Sequence, residues 1–194
     1  MGSSWDWTLW LRDARAVDAA VLDFVRGAEA AGHLDTLELD LYVTGRQVSM
    51  SMSRRAEGTL HPVVTELWLT TAERHGALFG RVSDEWSDEQ VWRLLSDPLG
   101  EQVPAVGRWP ELLGWWTYFG AERAGALPPL PAGVPATVRP TAGGGAVLAL
   151  LEEATALDEL EFERVHRVLL DSQASRTEAA SHAASNWRPP CDLP

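Results

Sequence analysis

Two periodicities alternate along the chain. Val17, Val21, Phe24, Val25 and Ala28 recur at helical spacing, with Arg15, Asp18, Arg26 and Glu29 on the other side, so residues 14–31 read as a helix that stops at Gly32. The period then drops to two. In LDTLELDLYVT, Leu37, Leu39, Leu41 and Val43 alternate with Glu38, Asp40 and Tyr42, which predicts a half-buried strand with one wet face. Gly45 turns the chain, and QVSMSMS alternates again with Val48, Met50 and Met52 on one side. These runs predict an antiparallel hairpin. Ahead of them, Trp7–Leu11 is a short apolar stretch that reads as an edge strand.

The second half repeats the mixture. Pro62 is placed to open a helix running to Arg74, with Val64, Leu67, Trp68 and Ala72 inward. HGALFGRVSD reads as a strand, and Ser87 with Gln90 fits a capping box that would start a short helix over Glu89–Leu95. Residues 96–111 are rich in Pro and Gly and read as loop. Leu112–Phe119 has high strand propensity. Gly120–Ala126 fits a helical turn or two, LPPLPAGVP a stiff connector, and Thr137–Arg139 with Ala146–Leu151 a hairpin across PTAGGG. Asp158 is positioned to cap a long helix whose apolar side carries Leu160, Val165, Val168 and Leu169.

Hairpins dominate this order and no βαβ series repeats. The expectation is an α+β fold: one domain, a mainly antiparallel sheet, helices packed on one face and a long C-terminal helix. Residues 1–171 would form that domain, and 172–194 an Ala/Ser-rich helical extension with a proline-rich tail.

Composition narrows the chemistry. At 194 residues with 45% hydrophobic content, the chain can bury a core without metal or disulfide staples. No apolar run approaches membrane-spanning length, and the N-terminus lacks a signal-peptide pattern. With one cysteine, Cys191, an intramolecular disulfide is impossible and a cytoplasmic location is expected. Every basic residue is arginine, so phosphate-loop, Schiff-base and Ser–Lys chemistries that need lysine are excluded. His33, His61, His75, His166 and His182 form no HExxH, HxH or i, i+4 pair, and no metal or other cofactor is expected. TAGGGAV reads as a flexible turn. The net charge of −12 repels nucleic acid and favours a basic protein partner, although acidity also serves solubility.

Two features remain as candidate contacts. Asp84, Glu85, Asp88 and Glu89 cluster at a predicted helix start, where acidic residues also suit the helix dipole. The segment GRWPELLGWWTYFG concentrates aromatic residues, and on a strand Trp115 and Trp116 must face opposite sides. One is expected in the core and the other where a partner can reach it, tryptophan being a common interface anchor. The rival reading is an enzyme or ligand-binding module in which Trp115 or Trp116 walls a pocket with His75 or Arg81.

The residues Gly76, Ala77, Gly80, Ser83 and Asp84, with ELLGWWTYFG and the hairpin LELDLYVTGRQVSMSMS, resemble the immunity protein 52 family of bacterial polymorphic-toxin systems. The resemblance spans roughly residues 5–170 in element order. It implies a cytoplasmic α+β protein, not an enzyme, that binds and blocks a co-encoded toxin, often a nuclease of restriction-endonuclease fold. It implies no catalytic residues.

Overall fold

The computed structural model describes residues 4–32, 39–53, 57–96, 103–153 and 158–186, and within these the side chains of 39, 57–59 and 176–186 are not considered. Among the described residues seven strands form one antiparallel sheet: β1 Ser4–Leu11, β2 Leu39–Thr44, β3 Gln47–Ser53, β4 Ala77–Asp84, β5 Trp116–Phe119, β6 Thr137–Pro140 and β7 Ala146–Ala149. Their spatial order is β2-β3-β1-β4-β5-β7-β6. Five α-helices accompany them among the described residues: α1 Val17–Ala30, α2 Glu57–Arg74, α3 Glu85–Trp92, α4 Ala121–Ala124 and α5 Glu159–Asn186. The expected α+β class with an antiparallel sheet is the observed one.

Register assigns the faces. Trp5, Trp7 and Leu9 of β1 stand opposite Met52, Met50 and Val48 of β3, and opposite Asp84, Val82 and Gly80 of β4. Side chains directly opposite share a face, so these rows build one apolar layer. Phe24 of α1 and Val64, Trp68 and Ala72 of α2 belong to the same buried cluster. Trp68 fits because Gly80 leaves room: a Cβ there would lie 2.8 Å from Trp68 Cζ2 and 2.7 Å from Leu9 Cδ2. Its indole N–H donates to the carbonyl of Thr8 at 3.1 Å, and that of Trp7 to Thr65 Oγ1 at 3.0 Å. Both large rings are thereby buried without an orphaned donor.

The opposite face is divided. Over β4, β5 and β7, the inward residues Phe79, Phe119 and Leu148 pack with Trp109 and Leu113 and with Val165 and Leu169 of α5. Helices therefore border both faces rather than one: α1 and α2 contribute to the first cluster, and α5 contributes Val165 and Leu169 to the second. Over β3 and β1 the same face presents Gln47, Ser49, Ser51, Asp6 and Thr8. Ser49 joins Thr8 (3.1 Å) and accepts from Gln47 Nε2 (3.1 Å).

Several boundaries differ from expectation for local reasons. β1 is central, flanked by β3 and β4, not an edge. β2 is the edge instead, and Leu41 and Val43 are exposed where half-burial was expected. Its hairpin turn follows from Gly45, whose φ of +58° suits the first central position of a two-residue turn between the paired Thr44 and Gln47. α2 begins a turn before Pro62, which lies inside it. β5 is short because the backbone ahead of it is engaged elsewhere. Leu113 N–H donates to His166 Nε2 at 3.0 Å, and Gly114 N–H to Thr117 Oγ1 at 2.9 Å, so neither joins the ladder. α5 starts at Asp158, whose Oδ1 accepts from Leu160 and Glu161 N–H at 3.1 Å each, and continues past residue 171 to Asn186. The tail with Trp187 and Cys191 lies outside the described residues. Among the described residues no helix is long and apolar enough to cross a membrane.

Candidate functional site

The acidic cluster and Trp115 meet at α3. Asp84 ends β4 with extended dihedrals (φ −114°, ψ 152°), and its Oδ1 accepts from Ser87 N–H at 3.2 Å. The helix cap is therefore Asp84, not Ser87, and α3 begins at Glu85 rather than Glu89. A carboxylate at this position satisfies a free N–H and sits favourably against the helix dipole. The other oxygen of Asp84 accepts from Trp115 Nε1 at 2.9 Å, and Ser87 Oγ is 3.1 Å from the same nitrogen. The ring of Trp115 packs on Phe162 of α5 at 4.5 Å between centroids. Asp84, Ser87, Trp115 and Phe162 are all fully buried or nearly so.

Asp88 anchors the first turn of α3. Its Oδ2 accepts from Arg81 Nη2 and from Ser83 Oγ, both at 3.0 Å. Arg81 and Ser83 lie on the polar side of β4, next to Thr8 and Asp6 of β1. Burial raises the pKa of Asp88 above the usual carboxylate range, against the lowering influence of Arg81 and Ser83. Burial likewise raises that of Asp6. Gly114 makes space for the Arg81 stem, since a Cβ there would lie 2.5 Å from Arg81 Cγ and 2.4 Å from Val82 O.

The anchored side of α3 fixes what the other side shows. At about 100° per residue, Asp84, Ser87, Asp88, Val91 and Leu94 share the inward arc. The outward arc runs Trp92, Glu85, Glu89, Arg93, Trp86. Trp86 is 51% exposed and Trp92 45%, with Glu85 and Glu89 exposed between them. Neither glutamate has an ion-pair partner among the described residues. Arg93 reaches across to Glu163 of α5 at 3.2 Å, which also pairs with Arg167 at 2.6 Å. This places Leu160, 75% exposed at the start of α5, on the neighbouring helix.

The six sequence-derived positions thus separate. Glu85 and Glu89 are on the surface. Asp84 and Trp115 are interior and bonded to each other, which removes them as surface contacts. Asp88 is largely enclosed by its partners. Trp116 is half-buried and packs against the core cluster that also holds Trp115, with its ring 6.1 Å from Trp5 and 5.1 Å from His61. Trp86 and Trp92 were missed. Starting the helix at Glu89 left Trp86 outside it; Trp92 lay inside the expected helix, and its position one residue beyond the buried Val91 was the available signal.

The pocket constellation does not assemble. His75 Nε2 lies 2.8 Å from Asp23 Oδ2, which also takes Arg74 at 3.3 Å, and these bonds tie α1 to the end of α2. Arg81 is held by Asp88 on the face opposite Trp116. The glycine turn also has an internal occupant: Gly143 N–H donates to Glu73 at 2.9 Å. Among the described residues no group of three or more His, Cys, Asp or Glu side chains is placed to hold a metal ion.

No protein family, curated protein or solved structure matches the chain.

Proposed function

We propose that this protein is a non-catalytic inhibitor, an immunity protein that neutralises a co-encoded bacterial toxin by direct contact, and that the outward arc of α3 is its contact face. The observation that carries the reading is the arc itself: two exposed tryptophans flank two exposed glutamates, without an ion-pair partner among the described residues, on a helix pinned from behind by Asp84 and Asp88. Interface anchors are most effective when the element presenting them is rigid before binding. A net charge of −12 suits a basic partner such as a nuclease, whose phosphate-binding cleft an acidic protein enters quickly. Inhibition in the cytoplasm of the producing cell follows from this reading.

Stoichiometric addition of the purified protein to the toxin encoded beside it tests the proposal. The expected result is loss of toxin activity at a one-to-one ratio, with association slowing as salt rises. Undiminished toxin activity, or turnover of a substrate by the protein alone, would overturn it.

A further inference from the structure

The two borders of the sheet are unlike. β6 is four residues long, exposed throughout, and ends in Pro140, which cannot donate to a further strand. β2 is six residues long and contains neither proline nor a basic residue. Sheets commonly blunt such an edge with proline, lysine or a bulge, and β2 pairs with β3 in unbroken register. Among the described residues no strand pairs with its other side, so N–H and C=O groups at alternate residues face outward there. Leu41, Tyr42 and Val43 are 36%, 59% and 50% exposed. Leu41 and Val43 extend the apolar row of Met50 and Val48, their register partners in the core.

We infer that β2 pairs antiparallel with β2 of a second copy of this chain, about a two-fold axis through Tyr42, joining two sheets into one. The sequence of the edge is complementary to itself in that register. Leu41 falls opposite Val43, so apolar residues meet on the core side. Asp40 falls opposite Thr44, so no like charges are opposed. An isologous contact of this kind closes on itself and does not propagate. It lies on a different element from α3 and does not depend on the toxin-binding reading. Because each copy carries −12, salt should tighten the pairing, opposite to its expected effect on a basic partner.

Sedimentation equilibrium of the full chain, with Val43→Lys and Leu41→Lys beside it, tests the pairing. Both positions are exposed, so the variants should keep the native circular dichroism spectrum. The expected wild-type mass is twice 21.3 kDa, rising in occupancy with salt, and the expected variant mass is 21.3 kDa. Cross-linking fixes the register independently. In a Cys191→Ser background, Tyr42→Cys should oxidise to a covalent dimer, because the two-fold places both thiols opposite each other, while Thr44→Cys should not. A monomer at every concentration and salt would overturn the inference, as would a dimer indifferent to Val43→Lys. So would cross-linking favoured at position 44. A wild-type monomer that instead takes up an extended basic peptide on β2 would reassign the edge to another protein's strand.

Discussion

Trp115 donates its indole N–H to Asp84 at 2.9 Å, and Asp84 spends its other oxygen capping α3. One buried carboxylate therefore couples the aromatic segment to the helix that presents the candidate contact face. Asp84→Ala removes both bonds and should destabilise the protein by about 2–4 kcal/mol, from a lost cap plus an orphaned buried donor. Asp84→Asn, which keeps an acceptor, should cost less than half of that. Urea unfolding followed by tryptophan fluorescence measures the difference, and equal losses would deny Asp84 this double role.

Close approaches at two strand-associated glycines predict an order of severity. Ala at position 80 meets the ends of the Leu9 and Trp68 side chains, which can shift, so Gly80→Ala should cost about 1–3 kcal/mol. Ala at position 114 meets the backbone carbonyls of Val82 and Trp116 at 2.4 and 2.8 Å, which cannot move alone. Gly114→Ala should lower the melting temperature more than Gly80→Ala, measured side by side by differential scanning calorimetry.

His166 gives the fold a defined acid sensitivity. It is buried, donates from Nδ1 to the Phe162 carbonyl at 2.7 Å and accepts Leu113 N–H at Nε2, so both nitrogens are engaged in the neutral form. Burial depresses its pKa from 6.5 to about 4. A depressed histidine binds its proton more weakly when folded than when unfolded. Its contribution is fully present above pH 6.5 and is lost as pH falls from there towards 4, to a limit of about 3 kcal/mol. The raised carboxyls of Asp6 and Asp88 act in the reverse sense, since their folded forms hold the proton more tightly. Unfolding free energy measured from pH 7 to 4.5 should fall in the wild type and fall less in His166→Gln.

Much of the sheet was legible because alternation is a local signal. The β2–β3 hairpin and β4 show it, whereas the β6–β7 hairpin was marked by the glycine-rich turn between its strands. Alternation reports which face a residue points to, not what covers that face. For that reason β2 looked half-buried although it is the edge, and β1, with Asp6 and Thr8 between its tryptophans, looked like an edge although it is central. At α3 two caps competed. Ser87 with Gln90 made the more familiar pattern, but Asp84 has Trp115 and Ser87 to bond as well, a tertiary advantage that spacing does not show. The later start left Trp86 outside the expected helix, whereas Trp92 lay inside it, and only the packing of Val91 and Leu94 against the core shows which side of α3 faces outward. The pairing of Asp84 with Trp115 joins residues far apart in sequence, which no periodicity encodes.

The most direct test of the central claim is the affinity of the co-encoded toxin for wild-type protein and for Trp86→Ala, Trp92→Ala and the double Glu85→Arg, Glu89→Arg variant, measured by calorimetry at fixed salt. All four positions are exposed, so folding stability should stay within about 0.5 kcal/mol of wild type. The account predicts that at least one tryptophan variant loses about 2 kcal/mol or more of binding free energy, and that the charge-reversed variant associates more slowly. Wild-type affinity in all three variants would place the contact face elsewhere and contradict the account.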